Sequence, residues 1–187
     1  MISHLKEEKS KKIQIYYFRI IKNEVEYLQT NDFFKKFKRE YSLQGIDNGF
    51  LNNLELNKKE ILENIKSDKL TVLYFSTFCK ASIKHGDNFV EKDLGSFFAK
   101  LVHTFRPEYY CALDNPIKNY FKLKKSFFLS FIIISDVYKK WSKENENILS
   151  EIRRRFEQAD KEKIIKQDKL TDLKLLDLIF WSKSNRK

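Results

Sequence analysis

Hydrophobic residues recur at steps of three and four along much of this chain, which is the period of an amphipathic helix. The first stripe predicts one helix over residues 11–29 and consists of Ile13, Tyr17, Ile20, Ile21, Val25 and Leu28. Asn31 or Asp32 is suited to cap a second helix, FFKKFKREY. Asn57 and Glu60 have the spacing of a capping pair for a third.

The run LTVLYFSTF is ambiguous between a strand and a helix. Its β-branched and aromatic residues suit a strand, but no partner strand is evident. We therefore interpret the run as a buried helix, with Gly86 as the stop signal that follows it.

The second half of the chain predicts further helices. SFFAKLVHTF ends before Pro107, and Asn115-Pro116 is typical of the start of the next helix, IKNYF. Residues 127–141 are expected to form the most buried helix, ENENILSEIRRRFEQADKEKII is a polar surface helix, and Thr171 caps DLKLLDLIFW. With only four Gly and two Pro, the sequence predicts an all-α fold, a single globular multi-helix domain over residues 1–187.

The formal net charge of +11 favours nucleic acids as partners, through release of their counterions. An AT-rich coding bias would explain part of the lysine excess. The N-terminus has no apolar signal region and no segment is long enough to span a membrane, so we expect a cytoplasmic protein without a membrane partner. The two cysteines lack metal-ligand spacing, and we expect neither a metal nor another cofactor.

Candidate chemistry is concentrated in LGSFFAKLVHTFRPEYYCALDNPIKNYF, residues 94–121. Lys100 and His103 share a helix face by their spacing, and the loop after Pro107 is long enough to bring Asp114 back towards that face. Each residue also has a structural interpretation: Asp114 as a helix cap, His103 as a core histidine bonded to a backbone carbonyl, and Lys100 as a solvated lysine.

The AKLVH...RP......LDNPI pattern resembles the K-L-L-H...P......D-x-x-[VI] signature of small proteins related to the helix-hairpin-helix DNA glycosylases. LKLLDLIFW is similar to the L-R-x-L-D-x-x-L-W ending of the same group. The resemblance places a helix-hairpin-helix-like core at about 87–187 and covers nothing in residues 1–86. Because the chain keeps only Gly95 of the hairpin's Gly-x-Gly core, any such hairpin is degenerate.

This resemblance implies that Asp114 is the catalytic carboxylate, which activates a nucleophile or stabilises positive charge on a sugar. Lys100 matches the lysine of the K-L-L-H motif and is the second catalytic candidate, but the match does not equate it with the nucleophilic lysine of bifunctional glycosylases. It implies nucleic-acid contacts at Gly95, His103 and Arg106, and the basic run that follows Asp114 adds phosphate contacts at Lys118, Lys122, Lys124 and Lys125. DNA is favoured over RNA. No iron–sulfur cluster is expected, because no Cys cluster follows the motif.

Three functions follow. The first is a basic helical nucleic-acid-binding protein of the DNA-glycosylase-like group, with or without activity. The second is an adaptor or structural subunit of a larger protein complex, for example in defence or mobile elements, docking through the helix that carries Arg153, Arg154 and Arg155. The third is a base-excision or strand-cleaving DNA enzyme that uses Asp114.

Overall fold

The computed structural model describes residues 8–184, which are mostly helical with one small antiparallel hairpin. Two irregular segments interrupt the helices, a π-helical segment at Tyr74–Phe78 and a 3-10 turn at Gln167–Lys169. In chain order the regular elements are α1 (Glu8–Ile20), α2 (Glu24–Gln29), α3 (Phe33–Glu40), α4 (Asn48–Leu56), α5 (Lys58–Lys66), α6 (Leu70–Leu73), β1 (Ala81–His85), β2 (Asn88–Lys92), α7 (Gly95–Phe105), α8 (Asn115–Tyr120), α9 (Phe127–Glu144), α10 (Glu146–Ala159) and α11 (Asp172–Ser184).

The first predicted helix is in fact two. The chain turns at Lys22, which adopts a left-handed backbone conformation (φ 56°), and Asn23 then caps α2 through its side chain. Val25 and Leu28 are consequently exposed, although they continue the periodic stripe of α1. The capped turn at residues 22 and 23 therefore ends α1, although the hydrophobic periodicity predicts one continuous helix.

The hairpin corrects the all-α prediction. LTVLYFSTF is helical, as interpreted from the sequence, but residues 81–92 form two paired strands with Ile83 opposite Val90. Gly86 does not stop a helix; it lies in the hairpin turn with φ 62°. The polypeptide before α7 is therefore a β-hairpin rather than the short loop of a compact helix-hairpin-helix motif.

An aromatic core surrounds α7, which is buried along nearly its whole length. Phe97 and Phe98 contact the rings of Phe34, Phe78 and Phe131 from several directions. Edge-to-face and tilted ring pairs of this kind add to the stability gained from buried area. The core thus holds α7 rigidly, and Lys100 with it.

α9 is the longest helix, and within residues 8–184 no helix is both long and apolar enough to cross a membrane. α11 packs against α8 and α9, and Thr171 caps it as predicted, with its hydroxyl accepting the N–H of Lys174 at 3.2 Å. α8 and α11 together form one side of the site described next.

Candidate functional site

A cleft of about 830 Å³ lies where α1, α7, α8 and α11 converge. Its polar wall carries Gln14, Lys100, Asp114, Lys174 and Asp177, and its apolar wall includes Trp181. A volume of this size and a mixed lining are typical of sites that hold a small molecule or one unit of a polymer.

Lys100 and Asp114 meet on the wall of this cleft. The Lys100 Nζ atom is 3.8 Å from an Asp114 carboxylate oxygen, and the two side chains are only 15% and 13% exposed. Burial lowers the pKa of the Lys100 amine, while the Asp114 and Asp177 carboxylates act in the opposite direction. An amine whose pKa is lowered is more often uncharged, which is the form that attacks an electrophilic carbon.

Asp114 is also a helix cap. Its second carboxylate oxygen accepts the N–H of Ile117 at 3.1 Å at the start of α8, and Pro116 occupies the first turn. The cap and the lysine contact use different oxygens, so the two interpretations of this residue coexist. The cap fixes the carboxylate in position relative to Lys100.

Two further buried charged residues, Lys174 and Asp177, line the cleft. The Lys174 Nζ atom is 4.0 Å from the centre of the Tyr17 ring, a close cation–π contact. One Asp177 oxygen accepts the N–H of Ala112 at 2.7 Å, and the other has no hydrogen-bond partner among the described residues. Burial raises the pKa of Asp177 and lowers that of Lys174.

His103 is a core residue, which corrects its assignment as a nucleic-acid contact. It is 1% exposed, its Nδ1 atom is 2.6 Å from the carbonyl oxygen of Tyr110, and its ring stacks on Tyr17. Burial lowers its pKa to about 3, so the ring is neutral at physiological pH. Its role is to join α7 to the following loop and to support the wall that carries Asp177.

Gln14 is a polar residue on the buried side of α1. It lies on the cleft wall, it is more than nine-tenths buried, and its Oε1 atom has no hydrogen-bond partner in the described structure. Buried amides are normally hydrogen-bonded. An amide carries both a donor and an acceptor, so Gln14 is suited to a ligand that offers the complementary pair.

The N-terminus of α7 opens onto the same cleft. The N–H of Gly95 donates to Asp93 at 2.7 Å, and a Cβ at this position would overlap the Phe127 ring. Gly95 is therefore required for packing, and its N–H is already occupied within the chain. The next two N–H groups, those of Ser96 and Phe97, have no acceptor among residues 8–184, and both residues line the cleft.

The basic run after Asp114 borders the cleft. Lys118 lines it, while Lys122, Lys124 and Lys125 are exposed on the loop that follows α8. In the described part of the chain, none of these four lysines has an acidic side chain within 4.0 Å. Their charge is free to attract an anionic polymer.

Two other basic features have acidic partners. Arg106 bonds Asp68 at 2.8 Å and lies over the rings of Tyr109 and Tyr110, away from the cleft lining, so it is not an available phosphate contact of the cleft. On α10, Arg154 and Arg155 share the single carboxylate of Glu151. The proposed docking helix of the adaptor hypothesis thus presents positive charge that is partly paired.

Sequence reasoning missed Gln14, Lys174 and Asp177. Each is a polar residue inside an apolar stripe, which was the available signal: Gln14 lies between Ile13 and Tyr17, and Lys174 and Asp177 are three apart among the buried leucines of α11. Within residues 8–184 no group of three or more His, Cys, Asp and Glu is arranged to hold a metal ion.

The raised pKa of Asp177 predicts an unusual pH dependence of stability. The folded state keeps a proton that the unfolded state releases above the ordinary Asp pKa of 3.8, so this residue costs stability as the pH rises from about 4 towards neutrality. Asp177→Asn removes that cost and still accepts the Ala112 N–H. We expect the free energy of unfolding of the variant, relative to the unsubstituted protein, to increase by on the order of 2 kcal/mol over this range.

Urea unfolding at a series of pH values measures the difference, with Asp87→Asn in the exposed hairpin turn as the control. A difference that stays constant with pH, or shrinks as the pH rises, would contradict the assignment of a raised pKa to Asp177.

Comparison of the chain with protein-family models, with curated proteins and with solved structures finds no match.

Proposed function

We propose that this chain is a basic helical nucleic-acid-binding protein of the DNA-glycosylase-like group, and that its cleft holds one nucleotide beside a catalytic pair, Lys100 and Asp114. The observation that carries the proposal is this pair: an amine of lowered pKa, 3.8 Å from a carboxylate, at the wall of a cleft large enough for a nucleotide.

The pair suits attack on a sugar carbon. The uncharged Lys100 amine forms a bond to C1′ as the bond from C1′ to the base breaks, and the base leaves with that electron pair and takes up a proton from the amine. The C1′–O4′ bond then breaks with its electrons going to O4′, which takes up the remaining proton of the amine, while the nitrogen lone pair forms the double bond of an imine on Lys100. The Asp114 carboxylate stabilises the positive charge that develops on the sugar in the transition state.

The rest of the cleft suits a base turned out of its stack. Trp181 and Pro116 supply flat apolar surface, and the Gln14 amide supplies a donor and an acceptor for the polar edge. Enzymes that act on a base normally read it with this combination of packing and edge hydrogen bonds. Asp177 adds a carboxyl group with one oxygen unpartnered on the same wall.

The free N–H groups of Ser96 and Phe97 lie one helical turn before Lys100 and are suited to a backbone phosphate. The resemblance assigned the backbone N–H of Gly95 to a phosphate, but this N–H donates to Asp93. The N–H groups of Ser96 and Phe97 take that role in our proposal. Lys118 on the facing helix contributes positive charge to the same cleft.

A salt titration tests the binding part of this proposal. Association with a fluorescein-labelled oligonucleotide should weaken steeply as salt rises, because each neutralised phosphate releases counterions. Replacing Lys124 and Lys125 together by Gln should reduce the slope of log K against log salt by about 1 to 2.

The matched control replaces two cations that already have an acidic partner, Arg154 and Arg155. That double variant should keep the slope of the unsubstituted protein. Binding that does not depend on salt, or equal slopes for the two double variants, would refute a nucleic-acid contact at the lysine run.

A further inference from the structure

Unpaired cations lie on the α8 rim of the cleft, where Lys118 and Lys122 have no acidic side chain within 4.0 Å among the described residues. On the α1 side, next to the cleft residues Ser10 and Ile13, Lys11 pairs with Glu162 and Lys12 with Glu8. Lys92 also lines the cleft without an acidic partner among the described residues, and its amine donates to the carbonyl oxygens of Gln44 and Gly45 at 3.4 and 3.3 Å. Positive charge suited to a sugar-phosphate backbone therefore lies along the α8 rim.

An exposed aromatic ring lies in the same segment as these lysines, outside the residues that line the cleft itself. Tyr120 lies between Lys118 and Lys122 and is 45% exposed. Its ring is supported from below by Phe121 and Phe180, with ring centres 5.3 and 5.9 Å away. Phe180 belongs to α11, which also supplies Trp181 to the cleft, so the ring lies at the junction of the two helices that form this wall.

Tyr109 provides an internal comparison. It is similarly exposed, at 52%, but the Arg106 guanidinium already covers it, 4.6 Å from the ring centre. No cation lies over the Tyr120 ring within the described residues. Tyr120 therefore presents a supported and uncovered face beside unpaired lysines, which is the usual combination in proteins that bind single strands.

We propose that Tyr120 is a stacking platform for an unpaired base next to the nucleotide in the cleft, and that the ligand is single-stranded rather than duplex nucleic acid. This inference rests on the proposed function, because it places the platform beside a bound nucleotide. Stacking recognises the flat face that every base has, so it is tolerant of sequence, and it requires that the base be free of its pairing partner.

The experiment compares affinities for a labelled oligothymidine, the matching oligouridine and a duplex of the same length, at one salt concentration. The single strand should bind at least about tenfold more tightly than the duplex. Tyr120→Ala should weaken single-strand binding about tenfold, Tyr120→Phe should leave it unchanged, and Tyr109→Ala is the matched control for removal of an exposed ring. The two single strands separate a DNA source from an RNA source; binding to either one supports the platform.

Tighter binding to the duplex, or equal affinities for Tyr120→Ala and Tyr109→Ala, would overturn this inference. Such a result with salt-dependent binding intact would leave the proposed function standing. Absence of salt-dependent binding to every oligonucleotide would overturn both. Circular dichroism and the urea midpoint of Tyr120→Ala show whether weaker binding comes from loss of the ring or from loss of the fold. Tyr120→Phe keeps the ring and its packing on Phe180, so unchanged binding by this variant would show that the ring rather than the hydroxyl binds the base.

Discussion

Replacing Lys100 by Gln is expected to reduce covalent capture of an oligonucleotide that carries an abasic-site aldehyde by about 10³-fold or more. Cyanoborohydride reduces an imine between a lysine and that aldehyde to a stable bond, so the amount of captured oligonucleotide on a denaturing gel reports the nucleophile. Gln keeps most of the volume of the side chain but has no amine. Affinity for the oligonucleotide should change by less than about threefold, because Lys100 is largely buried and contributes little to the surface charge.

Lys143→Gln, on the exposed end of α9, is the matched control and should capture as much as the unsubstituted protein. Undiminished capture by Lys100→Gln would show that another lysine is the nucleophile and would remove the catalytic part of the proposal.

Asp114→Asn separates the two roles of Asp114. Asn is about as good a helix cap as Asp, so stability should hold, whereas Asp114→Ala should lose about 1 kcal/mol with the cap. We expect release of the base and capture to slow about 10²-fold in the Asn variant, because the carboxylate that stabilises the developing charge is gone. Single-turnover rates together with urea unfolding measure both effects.

Asp114 also affects the protonation of Lys100. The Asp114 carboxylate raises the pKa of Lys100, so its loss yields more uncharged amine at neutral pH. If Asp114 only held a proton on Lys100, capture by Asp114→Asn would become faster. A faster or unchanged rate would contradict the role of Asp114 in stabilising the developing charge.

Much of the helical fold was predictable because the apolar stripes and end signals are strong. Pro107 ends α7 close to the expected position, and Asn115-Pro116 opens α8. The wrong predictions concern local conformations that the hydrophobic periodicity of the sequence does not indicate, namely the left-handed turn at Lys22 and the hairpin around Gly86. The hairpin of two five-residue strands packs against α4, and the Asp47 carboxylate accepts the N–H of Lys84. Neither contact can be predicted from the sequence of residues 81–92 alone.

Some residues of the site could be predicted from the sequence, and others could not. The approach of Asp114 to Lys100 follows from motif spacing and loop length, and the two side chains are indeed neighbours. Gln14 and Asp177 come from α1 and α11, far apart in sequence, and only the packing of those helices beside α7 brings them to one cleft. The sequence left two interpretations of His103, a nucleic-acid contact from its motif and a core histidine bonded to a backbone carbonyl, and the structure confirms the second.

The most direct measurement identifies the lysine that carries the sugar. Peptide mass spectrometry of the unsubstituted protein, reduced with cyanoborohydride in the presence of the abasic oligonucleotide, assigns the adduct to one residue. The account predicts a single adduct on Lys100. An adduct on Lys174, a scatter over the exposed lysines in proportion to their accessibility, or no adduct at all would contradict a nucleotide held in this cleft against a reactive amine.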